Sequence, residues 1–128
     1  MAARKVERLL ECGAVVTVVA RDLEDTLRER VQAGQILHRE GEYDESCLAG
    51  AFLVIGATDR EEVNERIAAD GRARGILVNI VDDPRHCDFI LPALLTRGSL
   101  TIAVSTDGKS PALARRIREE LAERFGPE

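Results

Sequence analysis

The sequence is poor in aromatic residues, and it contains no long apolar run. Only 3% of its 128 residues are aromatic and none is tryptophan, which argues against a platform for stacking nucleic-acid bases. The formal net charge is -5, so a phosphate backbone would also be repelled. No segment reaches the ~18 apolar residues that cross a membrane, and the first residues lack the apolar centre of a signal peptide. We therefore expect no nucleic-acid partner and no membrane partner.

Cysteine is scarce as well. Cys12, Cys47 and Cys87 are scattered without C-x-x-C spacing, and an odd number is a poor disulfide framework. Free thiols in or near a core are typical of a reducing compartment, so we expect a cytoplasmic protein. The adjacent pair His86 and Cys87 does not place metal ligands on a shared face at a defined spacing. We therefore predict no permanent metal site.

Short apolar segments alternate with helical patterns over the first two thirds of the chain. Residues 14–20, 51–55 and 76–81 are continuous runs rich in β-branched residues, as in parallel strands covered on both faces. A shorter strand is predicted around residues 36–38. This order of helices and strands predicts an α/β fold with a Rossmann-like, doubly wound, mostly parallel sheet. The usual first strand is missing from the order, so two strand edges would be left unpaired.

The C-terminal third departs from this alternation. Apolar runs at 89–95 and 100–104 are separated by the four residues 96–99, a spacing that predicts a β-hairpin. Ser110 followed by Pro111 is typical of a helix start. The apolar face of that last helix is predicted to comprise Leu113, Ile117, Leu121 and Phe125.

Two acidic residues at predicted strand ends are candidates for helix caps. Asp22 can cap the helix that follows the strand at 14–20. Asp59 has a glutamate, Glu62, three residues later, which is the spacing of a capping box with aspartate in the serine position. Both are predictions about local structure only.

A pair of adjacent carboxylates, Asp82 and Asp83, follows the buried run at 76–81. Ligands of open α/β sheets bind beyond the carboxyl ends of strands, so an acid there can serve as a general base or a cation ligand. Asp-Asp-Pro is also good turn material, and the residues alone favour a turn. Because successive strand residues point in opposite directions, at most one of the two acids is expected to face a given cleft.

Hydroxyl groups cluster before the last helix. Ser105, Thr106 and Ser110 would lie at a helix N-terminus, where an anion such as a substrate carboxylate can bind. Arg115 adds positive charge nearby. We take these residues as candidates for substrate binding, with a solvated surface as an equally good explanation.

Several short motifs, taken together, resemble one family. They are Ala2-Ala3-Arg4-Lys5, Gly13-Ala14, Val16-Thr17-Val18, Ala57-Thr58-Asp59, Asn79-Ile80-Val81-Asp82, Pro92-Ala93, Ala103-Val104-Ser105 and Ser110-Pro111-Ala112-Leu113-Ala114-Arg115. The combination resembles the precorrin-2 dehydrogenase family, also called the sirohaem synthase N-terminal domain. The resemblance implies an NAD-dependent oxidoreductase that converts precorrin-2 to sirohydrochlorin. In some members this activity is coupled to insertion of Fe2+ or Co2+, a ferrochelatase step that completes sirohaem.

The resemblance also implies roles for individual residues. Asp82 matches an aspartate implicated in both dehydrogenation and chelation, which makes it the catalytic candidate and a transient Fe2+ contact. The family's NAD contacts correspond to Met1, Arg21 and Asp22. Further cofactor neighbours are expected at Thr58 and Asp59. Dimerisation is a family property, so a homodimer is expected.

The sequence departs from this family at both ends. Members have a strand and a Gly-Gly-Gly turn before the position of Met1, and they continue beyond the last helix into a dimerisation region. We therefore expect residues 1–128 to form a single truncated Rossmann-like NAD-binding domain with reduced affinity for NAD. The alternative is a non-enzymatic tetrapyrrole-binding or metal-binding assembly module on a degraded dinucleotide-binding fold.

Overall fold

The computed structural model describes residues 2–126, in which helices and strands alternate as predicted. The elements are α1 Ala2–Glu11, β1 Thr17–Ala20, α2 Asp25–Gln32, β2 Leu37–Glu40, β3 Leu53–Gly56, α3 Glu61–Ala73, β4 Leu77–Ile80, β5 Ala93–Arg97, β6 Leu100–Val104 and α4 Pro111–Arg124, with short 3-10 helices at Glu45–Leu48 and Pro84–His86. None of the helices between residues 2 and 126 combines the length and apolarity needed to cross a bilayer.

The strands associate in pairs. β1 lies parallel to β2, β3 lies parallel to β4, and β5 and β6 form an antiparallel hairpin. These pairings, with α4 after the hairpin, confirm the predicted Rossmann-like α/β class. Within residues 2–126 no strand joins β1 to β3, so each keeps one edge without a β partner. Val15 and Phe52, which precede these two strands, are largely exposed.

Each parallel pair has its own apolar cluster. The first lies under α1 and α2 and comprises Val6, Val16, Leu27 and Ile36. The second lies between α3 and β4 and comprises Ile67, Ala68, Val78 and Ile80. The segment after β2 connects to α3, because the Tyr43 hydroxyl donates to Asp70 Oδ2 at 2.6 Å. Burial, followed by this hydrogen bond, raises the pKa of Tyr43.

The predicted acidic caps are wrong. α2 begins after Glu24 and α3 begins after Arg60, and neither helix has a side-chain cap. Asp22 lies too early because the chain runs extended through Glu24 before it enters the helix. Ahead of α3, the Thr58 hydroxyl accepts from the backbone N–H of Arg60 at 3.2 Å, so the loop is ordered without Asp59.

The predicted start of the last helix is confirmed, whereas its predicted face is only partly correct. Ser110 Oγ accepts a hydrogen bond from the backbone N–H of Leu113, at 3.2 Å. Ala114 is buried and Ile117 is half-buried, but Leu113 and Phe125 are exposed. Phe125 lies beyond the last helical turn, where apolar spacing no longer determines which side faces the core.

Candidate functional site

The C-terminal ends of β3 and β4 form one edge of the molecule. Gly56 pairs with Ile80 in register, and Val81 N donates to Gly56 O at 2.9 Å. The loops that follow the two strands therefore emerge side by side and enclose a cleft of about 540 Å³. Its lining comprises Thr58, Asp59, Glu61, Asn64, Ile80, Val81, Asp82, Asp83, Pro84 and Arg85.

Both adjacent acids, Asp82 and Asp83, line this cleft, so the expectation that only one would face it is wrong. Strand geometry ends at Ile80, and Asp82 adopts a left-handed backbone conformation with φ 61°. Alternation of side-chain direction applies only to extended backbone. Aspartate tolerates left-handed geometry better than most residues, and such conformations concentrate at functional sites.

Asp83 is paired with a histidine that sequence analysis treated only as a doubtful metal ligand. Its Oδ2 atom lies 2.6 Å from His86 Nδ1, and both side chains are partly buried. The hydrogen bond from His86 is the main reason why the pKa of Asp83 is lowered. The D-x-x-H spacing in the sequence could have predicted this pair, because side chains three residues apart lie above one another in a 3-10 helix, and Asp83 directly precedes the 3-10 helix Pro84–His86.

Replacement of His86 by alanine is expected to raise the pKa of Asp83 toward its ordinary value of 3.8. The lowered pKa means that the pair stabilises the fold above this value and that the stabilisation disappears as the pH falls through the folded-state pKa. Carboxyl-resolved NMR titration measures the change directly.

Arg85→Ala is the matched control for this titration. Arg85 is a smaller cause of the same shift, since its Nε lies 3.7 Å from Asp83 Oδ1. The Arg85→Ala substitution should therefore raise the pKa of Asp83 less than His86→Ala does. An equal or larger effect of Arg85→Ala would show that the histidine does not dominate.

Residues after the acids are held against the outer edge of β4. Asp88 N donates to Val78 O at 2.7 Å, and Asp88 Oδ2 accepts from Val78 N at 2.9 Å. The buried Asn79 amide donates to Phe89 O at 2.9 Å. Cys87 Sγ contacts Ile80 N at 3.3 Å, so this thiol has a structural role. These bonds close the loop that carries Asp82 and Asp83.

The predicted cofactor residues lie beyond β1 and β3. Thr58 Oγ1 bonds to Asn64 Oδ1 at 2.7 Å, and Asn64 Nδ2 donates to Thr58 O at 3.1 Å, which fixes the cleft wall. Arg21 donates to Glu42 Oε1 at 2.8 Å in an exposed pair. Asp22 and Asp59 are exposed at the two strand ends. Met1 lies outside the described residues.

Lys5, in the first turns of α1, is coupled electrostatically to residues at this edge. Burial lowers the pKa of Lys5, while the negative charges of Asp82 and Cys87 act in the opposite direction. Lys5 and the candidate catalytic aspartate therefore interact electrostatically. Nothing in the local sequence signals this interaction, because it results from how α1 packs.

The predicted substrate-binding hydroxyls come together in the loop between β6 and α4. Ser105 Oγ accepts from Asp107 N at 3.2 Å, and Thr106 Oγ1 accepts from Ser110 N at 2.8 Å. Arg115 is exposed on α4. These hydroxyls organise the loop. A second cavity, of about 550 Å³, is lined instead by Asp107 and by Pro84, Arg85, Cys87, Asp88, Phe89 and Ile90.

Metal-ligating side chains are dispersed. Among residues 2–126, histidine, cysteine, aspartate and glutamate do not assemble in groups of three or more that could hold a metal ion. The cysteines Cys12, Cys47 and Cys87 are not joined in disulfides.

Comparison with protein families gives two adjoining matches. The family described as putative NAD(P)-binding matches residues 1–93. The family described as sirohaem biosynthesis protein central matches residues 97–124. The boundary falls within the hairpin β5–β6, so the cleft with Asp82 lies wholly in the first match.

Curated relatives and a solved structure agree with these matches. The chain is 46% identical over 121 residues to a sirohaem synthase from Photorhabdus laumondii, which covers 94% of this chain and 26% of that protein. A sirohaem synthase from Pseudomonas fluorescens is 45% identical over 123 residues with the same coverage. The chain thus spans about a quarter of the length of these relatives. The solved structure of SirC, a precorrin-2 dehydrogenase, matches with a TM-score of 0.83 and 31% identity over 98% of this chain and 61% of SirC.

Proposed function

This chain belongs to the NAD(P)-binding family of sirohaem biosynthesis proteins, and from that premise we propose that it is the catalytic NAD-binding domain of a precorrin-2 dehydrogenase. The reaction is the oxidation of precorrin-2 to sirohydrochlorin. The observation that carries the proposal is the position of Asp82, which lines a cleft beyond the paired carboxyl ends of β3 and β4. This is the edge at which open α/β sheets bind ligands.

The groups beyond β1 and in the first turn of α1 suit a dinucleotide. The exposed carboxylate of Asp22 is of the type that accepts hydrogen bonds from ribose hydroxyls. The first turn of α1 contains no acidic residue and includes the cation Arg4, so this positive helix end suits a phosphate. When bound, NAD supplies the hydride acceptor.

Asp82 is assigned as the proton acceptor. Loss of a hydride from the tetrapyrrole leaves a proton that a carboxylate within the cleft can accept. Asp82 is exposed at the cleft, where a substrate can reach its carboxylate. The hydrogen bonds from Val78 to Asp88 and from Asn79 to Phe89 tie the loop that follows Asp82 to β4, which limits reorganisation of this loop during the reaction.

The decisive experiment is turnover of precorrin-2 by the purified protein under anaerobic conditions. With NAD+ present, sirohydrochlorin and NADH should appear in equal amounts, as followed by their absorbance. Without NAD+ neither should form. If the protein binds the tetrapyrrole but NAD+ produces no oxidation, the dehydrogenase assignment fails, and a tetrapyrrole-binding module is the better description.

Three finer proposals extend this assignment. The two cleft carboxylates Asp82 and Asp83 offer oxygen ligands to a transient Fe2+ or Co2+ substrate, since these borderline cations accept oxygen as well as nitrogen ligands. The open edges of β1 and β3, with Val15 and Phe52 exposed beside them, favour a homodimer. Cysteines without disulfides agree with a cytoplasmic location. Light scattering tests the dimer, and metal-insertion assays test the chelatase.

A further inference from the structure

Pro84 and Arg85 form a ridge between two cavities. The cleft of about 540 Å³ that contains Asp82 lies on one side. The cavity of about 550 Å³ that contains Asp107 lies on the other, and both residues of the ridge contribute to both linings. A ligand that occupied both cavities would lie across this ridge.

The linings of the two cavities are strongly acidic. Among the described residues that line them, Arg85 is the only cation. The carboxylates are Asp59, Glu61, Asp82, Asp83, Asp88 and Asp107. A substrate that carries carboxylates is repelled by such a surface unless a cation offsets the charge.

The guanidinium of Arg85 is available for this purpose. Its side chain is 82% exposed, and its contact with Asp83 is a single 3.7 Å approach. The other oxygen of Asp83 is already bound by His86 at 2.6 Å. Exposed ion pairs of this kind contribute little, so Arg85 can turn toward a ligand at small cost. Guanidinium binds carboxylates through two parallel hydrogen bonds, which also fixes their orientation.

We propose that Arg85 is a specificity-determining residue that binds a peripheral carboxylate of the tetrapyrrole, with the macrocycle lying across the Pro84–Arg85 ridge. This inference rests on the proposed function, because precorrin-2 carries acetate and propionate side chains around its ring. Arg85 thereby draws a polyanionic ring toward an acidic cleft, and Asp82 remains free to accept the proton.

Steady-state kinetics of Arg85→Ala test this role. The KM for precorrin-2 should rise roughly fivefold, with kcat changed by less than about twofold, because the lost contact exists before and during the reaction. Arg85→Lys should give a smaller rise, since it keeps the charge but loses the paired hydrogen bonds. Arg85→Glu should give the largest rise in KM, because it replaces the cation with a carboxylate. Arg28→Ala, which removes an exposed arginine of α2 that lines neither cavity, should leave KM unchanged.

Equilibrium binding of sirohydrochlorin, followed by absorbance without NAD, separates this inference from the proposed function. Affinity of the unaltered protein should fall as salt is raised, and Arg85→Ala should be weaker and less salt-dependent. Equal affinity and equal salt dependence of the two proteins would overturn the role of Arg85. Binding through Arg85 with no turnover would support this inference while refuting the dehydrogenase. Absence of any tetrapyrrole binding by the unaltered protein would refute both.

Discussion

Asp82→Asn is expected to lower kcat for precorrin-2 oxidation by roughly 10²- to 10⁴-fold, the usual contribution of a positioned general base. The amide has nearly the same shape as the carboxylate but cannot accept the proton. Asparagine also tolerates the left-handed conformation at this position, φ 61°, whereas alanine would add backbone strain. The expected loss therefore reports chemistry, and affinity for NAD+ should change little.

Asp107→Asn is the matched control for this substitution. Asp107 also has a positive φ, 59°, and it borders the neighbouring cavity. The same chemical change there removes a negative charge from the surface proposed for the macrocycle, so it should lower KM for precorrin-2. It should leave kcat within about threefold, since Asp107 lies outside the cleft with Asp82. If Asp82→Asn retains most of the activity and Asp83→Asn loses it, the base is Asp83, and the assignment of Asp82 is wrong.

Gly71→Ala is expected to lower the free energy of unfolding by about 2 kcal/mol, the typical cost of overpacking a core. An added Cβ at Gly71 would lie 2.5 Å from Val78 Cγ2, and Val78 is 0% exposed. A branched valine has little rotamer freedom with which to move away. The same substitution at an open helix position would instead stabilise by roughly 0.5–1 kcal/mol. Urea unfolding measures the change.

A double substitution tests whether the methyl group of Val78 causes the loss of stability. In a Val78→Ala background the clashing methyl is absent, so Gly71→Ala should become neutral or stabilising. If Gly71→Ala alone is as stable as the unaltered chain, then α3 and β4 do not pack as closely as the structure shows. If it remains destabilising in the Val78→Ala background, the clash with the valine methyl is not the reason.

Much of the fold could be predicted from local patterns. Apolar β-branched runs predicted β1, β3 and β4 to within a few residues, because a strand covered on both faces needs no polar alternation. Ser110 and Pro111 marked the start of α4 because a cap acts on its own helix. The predicted acidic caps at Asp22 and Asp59 were wrong. The helix α2 begins only after Glu24, and in the loop before α3 the Thr58 hydroxyl, not Asp59, accepts a hydrogen bond from a backbone N–H.

Some features of the candidate site could likewise be predicted from the sequence, whereas others depend on the tertiary structure. The resemblance to the family and the position of Asp82 at a strand end predict a site beyond β4, and a cleft lies there in the structure. The pairing of Asp83 with His86 agrees with their three-residue spacing in the sequence. The electrostatic interaction of Lys5 with Asp82 and the position of Arg85 between two cavities had no signal in the sequence, since they depend on residues brought together from separate elements.

The sequence by itself therefore determined the order of helices and strands and the family, because these follow from local periodicity and from motifs, and through the family resemblance it predicted Asp82 as the candidate base. Tertiary structure alone decided that both acids face one cleft, that Arg85 is the sole cation among the described residues of the two linings, and that Gly71 has no room for a methyl group. Those facts depend on how α1, α3 and the loops after β3, β4 and β6 pack in space, and sequence spacing carries no information about distances between separate elements.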